Sequence, residues 1–500
     1  MLKKYIYIAI SVGVLLSAAS CKKILDQPVL GDYPQDKYFT SVANANAAVN
    51  AAYVPLTFAS GTANPIWVLS DISSDDAVKG GLPGDQADYD QIDVFNILNN
   101  NSAVEGVWAR YYDGVLKANF VLDGLANTNT AIPEASRTLI TAQAKFLRAY
   151  YYFIITNCYG NVPLRLTVAT ADNTQSPIVP QVQIFAQIEK DCIEASAALP
   201  NIWSGADLGR VTKGAALALL AKTYLFEQKY TQAATTAQQV EALGIYSLTQ
   251  KFTDNFSAST KNNTEAIFSI QHTAGLNPKQ GNGLNQFFAP RGALNGYGFF
   301  LPTQSLVDNF EKSPSGVDDP RLDYTVGRAG HSFFGTPFDP SWTSTGYVTK
   351  KQIQPLTEIP AATRGDGNLN VEAIRFADIL LIEAEALNES GSSDAALVPL
   401  NKVRKRARES YLYDNTLTGV GTVPTGLLPD VTITSQTQLR DIIRRERRSE
   451  LALEFQRYFD IMRYGSAYAS NALRDKPNFN YSNNRFFPIP ASERSTNTGL

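Results

Sequence analysis

The sequence predicts a mainly α-helical protein, in which tetratricopeptide-like helical pairs form a scaffold and an irregular, loop-rich lobe carries short strands. Apolar residues recur every three or four positions through much of 105–243 and in 436–463, which indicates amphipathic helices. The segments 216–243 and 374–407 each contain two helices with Ala and Leu at close-packing positions and a short break between them. Residues 247–370 have no helical period and are rich in Gly, Pro, Asn and aromatic residues, so we expect loops and short strands there.

The amino terminus has the features of a bacterial lipoprotein signal. A short basic start and an apolar run precede Cys21, which has three small residues in front of it, an arrangement that resembles a lipobox. We predict a signal peptide over 1–20, lipidation at Cys21 and a tether over 21–40. An ordinary secretory signal is the alternative, because Ala18 replaces the leucine usual at that place. Cys158 and Cys192 lie in helical apolar patterns and are predicted to be buried free thiols, with a disulfide as the alternative.

Because a helical pair cannot bury its apolar faces alone, the pairs must stack on one another, and we expect residues 41–500 to form a single domain. The helical scaffold is predicted over roughly 41–246 and 371–475, and the irregular lobe over roughly 247–370. The elements predicted within the domain are, in chain order, a helix over 41–59, a mostly irregular stretch over 61–101, helices over 105–126 and 134–158, helical segments over 182–243, strands at 266–271 and 346–350, helices over 374–407 and 436–463, and an extended tail at 486–490.

Composition and charge exclude several classes of function. The formal net charge is −3, so no basic field gathers phosphates, and nucleic acid is not expected as a partner. His272 and His331 are the two histidines, and neither a Ser/His/Asp set nor a histidine-rich metal cluster can be built on their spacing. The segment DGNLN (366–370) imitates half of a calcium loop but has Val371 and Ala377 where glycine and glutamate are needed. We therefore predict no cofactor and no metal.

Two carboxylates fall on the apolar stripe of a predicted helix over 439–457. Glu446 and Glu450 invite a catalytic interpretation, since a glycosidase needs two carboxyl groups of different pKa beside the scissile bond. Neighbouring arginines favour the ionised form of both groups, so we predict a structural ion-pair network instead. The residues expected around or within this network are Arg444, Arg445, Arg447, Arg448, Arg457, Arg148 and Glu383.

Seven segments in order make the chain resemble the SusD/RagB family of outer-membrane lipoproteins. They are EGVWARYYDGVLKANFVLD (105–123), AQAKFLRAYYYFIITNCYGNVPL (142–164), RVTKGAALALLAKTYL (210–225), DPRLDY (319–324), IRFADILLIEAEALNESG (374–391), LRDIIRRERRSELALEFQRYFDIMRYG (439–465) and FPIPASERSTN (487–497). The resemblance implies a non-catalytic, lipid-anchored protein of the cell exterior that binds oligosaccharide. It also implies a TonB-dependent, SusC-like transporter as partner, with the helical pairs docking on it and the irregular lobe left for the ligand.

Sugar capture needs flat aromatic faces and polar groups on exposed loops. The loop residues that meet both conditions are Trp67, Asp75, Asp76 and Tyr89 in the first long loop, and Tyr297, Phe333, Trp342 and Tyr347 in the second. Capture of a peptide or glycopeptide by the same fold is one alternative function. A surface glycoside hydrolase is the other.

Overall fold

The computed structural model describes residues 38–126, 132–168, 175–291 and 294–498. The predicted signal peptide, Cys21 and nearly all of the predicted tether lie outside the described residues. The helices in these ranges are α1 (Val42–Tyr53), α2 (Ala87–Asp93), α3 (Ser102–Ala126), α4 (Glu134–Tyr159), α5 (Gln181–Ala198), α6 (Lys213–Phe226), α7 (Tyr230–Ala242), α8 (Leu284–Phe288), α9 (Gln304–Asn309), α10 (Pro320–Thr325), α11 (Phe376–Glu389), α12 (Ser393–Tyr413), α13 (Gln436–Leu451), α14 (Arg457–Arg463), α15 (Ser466–Ala472), α16 (Tyr481–Asn484) and α17 (Ala491–Thr496).

The long helices pack as successive pairs, which confirms the predicted fold class. Helices α3 to α7 each contact the next along the chain, α7 contacts α11, and α11 contacts α12 and α13. Small residues allow this close approach: a Cβ at Gly114 on α3 would lie 2.3 Å from the Tyr151 ring on α4. Helix α6 is buried along most of its length because Ala and Leu occupy eight of its 14 positions. The helical array is therefore one continuous scaffold.

The strands are short and pair two by two in antiparallel fashion. They are β1 (Ala77–Gly80), β2 (Val162–Pro163), β3 (Ile178–Val179), β4 (Ala266–Ile270), β5 (Phe299–Pro302), β6 (Val326–Arg328), β7 (Ser332–Phe333), β8 (Thr336–Pro337), β9 (Tyr347–Thr349) and β10 (Val371–Arg375). Strand β1 pairs with β5, β4 with β10, β2 with β3, β6 with β9 and β7 with β8. The first long loop is thus tied to the second through β1 and β5, in the register Ala77 opposite Pro302.

Two predicted elements differ in the structure. The helix expected over 436–463 breaks between α13 and α14, where Leu453 and Phe455 have φ of 61° and 63°. Asp71, from the first long loop, accepts hydrogen bonds from the Phe455 and Arg457 backbone N–H groups at 2.8 and 3.2 Å and so satisfies the interrupted backbone. The tail at 486–490 forms no strand in the described structure; its Phe487 N–H donates to the Cys158 carbonyl at 2.8 Å.

Most of the core is one contiguous apolar cluster, and it draws residues from Phe39 through Ile489. Cys158 and Cys192 are buried and free, and burial raises the pKa of both thiols. Among the helices of the four described ranges, none is both long enough and apolar enough to cross a membrane.

Candidate functional site

Glu446 and Glu450 lie inside a buried ion-pair network, as the sequence predicts. Arg321 Nη1 donates to Glu446 Oε1 at 2.6 Å and to Glu450 Oε2 at 2.9 Å. Arg375 donates to Glu450 at 2.6 Å, Arg404 donates to Glu446 at 2.8 Å, and Arg406 pairs with Glu450 as well. The partners therefore come from three other elements: α10 in the lobe, strand β10 and helix α12.

The electrostatics of this network oppose acid catalysis. Burial alone would raise the pKa of Glu450, but Arg406, Arg375 and Arg321 outweigh it and hold the pKa well below its usual range. A general acid of a glycosidase needs the opposite shift. The two glutamates consequently stabilise the packing of α13 against its neighbours.

The arginines predicted to surround the two glutamates pair with other groups, because the partners are determined by contacts between elements that the sequence pattern does not show. Arg447 pairs with Asp378 at 2.5 Å and with Asp460 at 2.7 Å. Arg148 pairs with Asp191 at 2.8 Å on the neighbouring helix α5. Other contacts are as follows: Arg444 stacks on the Tyr464 ring, Arg445 donates to the Asn309 carbonyl, and Glu383 accepts from Gln238.

Asp75 and Asp76 are also committed to arginines, which corrects their assignment to the ligand. Asp75 accepts from Arg457 Nε at 2.8 Å and from Nη2 at 3.0 Å, and Asp76 accepts from Arg448 Nε at 2.7 Å. Both carboxylates are buried. Burial alone would raise the pKa of Asp75, but Arg448 and Arg457 outweigh it and lower the pKa. These two carboxylates join the first loop to α13 and α14, and their burial keeps them away from a ligand at the surface.

Three of the predicted aromatic residues are core residues and have no exposed ring face. Trp67 is fully buried, donates from Nε1 to the Gly61 carbonyl at 2.8 Å, and is met edge-on by Tyr89 and Phe288. Tyr89 and Phe333 are buried as well. The prediction that these rings lie on a ligand surface was wrong, because each of them anchors its loop by packing into the apolar core.

The other three predicted rings keep accessible surface. Tyr297 is 37% exposed and meets Phe287 edge-on, with 5.2 Å between ring centroids. Trp342 is half-buried against Phe338 at 5.4 Å. Tyr347 is half-buried and donates its hydroxyl to Gln304 Oε1 at 2.6 Å. These rings remain predicted ligand contacts.

A cleft of about 700 Å³ opens beside the β7–β8 hairpin and was not predicted. Its volume lies in the range of ordinary small-molecule sites. The groups that line it include Phe334 at the hairpin turn, Tyr324 on α10, Tyr411 on α12, and the polar residues His331, Lys350 and Asp414. An aromatic face, hydroxyls and carboxylates therefore meet in one open depression.

The Phe334 ring stands at the tip of the hairpin in an unusual backbone conformation. Phe334 and Gly335 connect β7 to β8, and both have positive φ, 50° and 88°. Two-residue hairpin turns with two positive φ values favour Asn-Gly or Gly-Gly. A bulky side chain at such a position costs roughly 1–2 kcal/mol. The ring is therefore held where local energetics favours a smaller residue.

Charged groups at the base of the cleft are arranged around Asp323. The Asp323 carboxylate pairs with Arg328 and lies 2.9 Å from His331 Nδ1. Lys350 Nζ donates to the Asp323 carbonyl at 2.6 Å and lies 5.5 Å from the centroid of the Phe334 ring. Burial lowers the pKa of Lys350 to about 8, with Asp323 opposing and Arg328 assisting the shift. Burial, assisted by the Asp414 carboxylate, raises the pKa of Tyr324.

The calcium-like segment serves the backbone instead. Asp366 Oδ2 accepts from the Gly275 N–H at 2.8 Å, Asn368 Oδ1 from the Ala274 N–H at 2.8 Å, and Asn370 Oδ1 from the His272 N–H at 3.0 Å. Burial lowers the pKa of His272 to about 4. Among the described residues, no group of His, Cys, Asp and Glu side chains is arranged to hold a metal ion.

Comparison with known proteins gives matches over nearly the whole chain. One family model, described as "Starch-binding associating with outer membrane", matches residues 32–225, and another, described as "SusD family", matches residues 264–500. SusD-like protein P2 of Formosa agariphila is 26% identical over 516 residues, with 97% of each chain covered.

Solved structures extend the match to the fold. A SusD-like carbohydrate binding protein from Bacteroides fragilis is 25% identical with a TM-score of 0.77, covering 93% of this chain and 99% of that one. A laminarin binding SusD-like protein is 28% identical with a TM-score of 0.74, covering 91% of this chain and 97% of that one. The two family models, together with these chain-length similarities in sequence and fold, show that the chain belongs to the SusD/RagB family.

Proposed function

We propose that this protein is a non-catalytic, glycan-binding lipoprotein of the outer membrane and that the cleft beside Phe334 is its ligand site. The family model for residues 32–225 is described by starch binding, and a relative of the same fold at 28% identity is described as laminarin binding. The cleft supplies what a sugar chain requires: a ring face for the C–H surface and hydroxyl, amide and carboxylate groups for the sugar hydroxyls.

The observation that carries the proposal is the placement of Phe334. A residue kept in a strained conformation at an accessible turn indicates a role that compensates for the strain. Stacking of a pyranose on this ring is such a role. Tyr297, Trp342 and Tyr347 are proposed as further contacts for a longer chain, because each retains exposed surface on the same lobe.

Lipid anchoring and delivery complete the proposal. Cleavage before Cys21 and acylation of that residue would tether the protein to the outer membrane, facing the cell exterior. The bound oligosaccharide would then pass, uncleaved, to a SusC-like TonB-dependent transporter docked on the helical scaffold. Replacing Cys21 by Ser is expected to release the protein from the membrane fraction of its native host.

The ligand site is tested by calorimetric titration of Phe334→Asn and Phe334→Ala with laminarin and with starch. Asn suits the turn, so the free energy of unfolding should stay within about 1 kcal/mol of the native value. Loss of stacking should lower glycan affinity about fivefold to a hundredfold. Tyr224→Ala on α6 is the matched control and should bind normally. Unchanged affinity in both Phe334 variants would remove the cleft from the ligand site.

Peptide capture is the second candidate, favoured by the charged groups Asp323, Asp414 and Lys350 in the cleft. The titration therefore includes a panel of short peptides beside the glycans. Binding of peptides, with none of either glycan, would replace the first proposal by the second. Release of reducing ends from either glycan would contradict the non-catalytic role.

A further inference from the structure

Lys350 connects the two sides of the cleft base. Its Nζ donates to the Asp323 carbonyl on α10 at 2.6 Å and to the Ser332 carbonyl on β7 at 3.4 Å. The same ammonium lies 5.5 Å from the centroid of the Phe334 ring, within cation–π range. The lysine follows β9, so one side chain joins three elements that are separate in the chain.

Apart from Lys350, the Phe334 ring meets the neighbouring Phe333 ring edge-on, with 4.8 Å between centroids. Each strand of the β7–β8 hairpin has two residues. Phe333 anchors the inner face against Phe338 and Trp342, with centroid distances of 6.2 and 5.6 Å. The strained turn favours a different backbone conformation at Phe334, which works against the Phe333 contact. The Lys350 ammonium adds an attraction on the cleft side of the ring.

We propose that Lys350 is a positioning residue that holds the Phe334 ring in the orientation that binds the ligand. This inference rests on the proposed function of the cleft. Its consequence is that the cleft binds its ligand less tightly when the ammonium loses its proton.

The charges that face Lys350 define the pH range of this effect. Burial lowers the pKa of Lys350 to about 8; the Asp323 and Asp414 carboxylates oppose the shift and Arg328 assists it. The ammonium is thus present at pH 7 and largely lost at pH 9.5. Burial raises the pKa of Tyr324 and of Tyr411, so the two tyrosines of the cleft keep their protons over this range.

The first test measures laminarin affinity from pH 7 to pH 9.5. In the wild-type protein the affinity should fall about threefold to tenfold as the cation–π contact is lost. Lys350→Arg keeps its charge throughout, so its profile should be flat. Lys350→Met should bind at pH 7 as weakly as the wild type binds at pH 9.5. Lys405→Met, which removes an exposed lysine of α12, is the matched control and should follow the wild type.

The second test needs no ligand. It measures hydrogen exchange of the backbone amides of residues 332–336 at pH 7, which should exchange several times faster in Lys350→Met than in the wild type and in Lys350→Arg. Equal protection in all three proteins would overturn the positioning role. A wild-type laminarin profile that matches that of Lys350→Arg would overturn it too. Faster exchange in Lys350→Met, in a protein that binds neither laminarin nor starch at any pH, would uphold the positioning role and end the glycan proposal.

Discussion

The ionisation of a buried carboxylate in this protein is decided by the number of guanidinium groups around it. Glu450 contacts three arginines, and they hold its pKa low against the effect of burial. Glu372, on strand β10, has one hydrogen bond from the Ser269 hydroxyl at 2.6 Å. Burial therefore dominates, and the pKa of Glu372 rises to about 8. The two buried glutamates thus differ in protonation state at neutral pH: Glu450 is ionised and Glu372 is largely neutral.

Replacing Glu450 by Gln should destabilise the protein by about 3–5 kcal/mol at pH 7, because three buried guanidinium groups lose their shared counter-charge. Glu409→Gln removes the half-buried partner of the exposed Lys405, 3.7 Å away, and should change stability by less than about 1 kcal/mol. The low folded pKa of Glu450 contributes stability above its unfolded value near 4.3, and that contribution is lost as the pH falls below it. Urea unfolding at pH 7 and pH 4 checks both statements. Equal midpoints for Glu450→Gln and Glu409→Gln at pH 7 would contradict the network.

Glu372→Gln should act in the opposite direction. The folded pKa of Glu372 is raised, so the wild-type protein loses stability from this group as the pH rises from about 4.3 towards 8. Glutamine accepts the Ser269 hydrogen bond without a charge, and the variant should be more stable than wild type by about 2–4 kcal/mol at pH 9. At pH 4.5 the two should unfold alike. A variant that is less stable than wild type at pH 9 would show that the carboxylate is ionised and compensated.

At the scale of elements, helices with a strong 3.6-residue period were predictable and their interruptions were not. Helices α3 and α4 lie within a few residues of their predicted bounds, because their own apolar stripes determine them. The break after α13 depends on Asp71, which is far away in the sequence. Strand β1 was missed for a related reason: four residues carry little periodic signal, and its partner β5 belongs to another loop.

The candidate site shows the same limit. Phe333 was predicted as a ligand contact, but the structure buries Phe333 and leaves its neighbour Phe334 half-buried beside the cleft. The sequence does not show which of the two adjacent phenylalanines ends the strand and which begins the turn; in the structure Phe333 ends β7 and Phe334 lies in the turn with positive φ. The buried neighbours Phe338 and Gly327 settle it, since a Cβ at Gly327 would lie 2.5 Å from the Phe333 ring.

The break between α13 and α14 should depend on Asp71. Asp71→Ala leaves the Phe455 and Arg457 N–H groups without their acceptor and should cost about 2–4 kcal/mol. Asp71→Asn keeps one acceptor oxygen and should cost about half as much. Burial, assisted by Asp76, raises the pKa of Asp71 to about 8, so neither substitution removes a full charge at pH 7. Thermal unfolding of the two variants beside wild type provides the measurement; no loss in Asp71→Ala would show that the break forms without its cap.

At the scale of the whole molecule, long-range contacts join regions that the sequence separates into scaffold and lobe. Helix α7 packs directly on α11, although the whole lobe lies between them in the sequence, and β1 pairs with β5. Near the end of the chain, Glu493 pairs with Arg165 at 2.6 Å and accepts from Trp108 Nε1 at 3.3 Å. One apolar cluster runs through all of these regions. The scaffold and the lobe therefore differ in secondary structure, but they share one core and are not expected to be stable separately.

We expect the protein to unfold in a single cooperative transition, because both the main apolar cluster and the smaller one around Phe252 and Tyr411 draw residues from the lobe and from the helical scaffold. Three of the four tryptophans, Trp67, Trp108 and Trp203, report on the first half of the chain, and Trp342 reports on the lobe. Urea unfolding followed by tryptophan fluorescence should coincide with unfolding followed by helical circular dichroism. Trp342→Phe removes the lobe reporter and should leave the fluorescence midpoint unchanged. Two separated transitions, or a midpoint that moves when Trp342 is silenced while the circular dichroism midpoint stays, would show that the lobe unfolds independently.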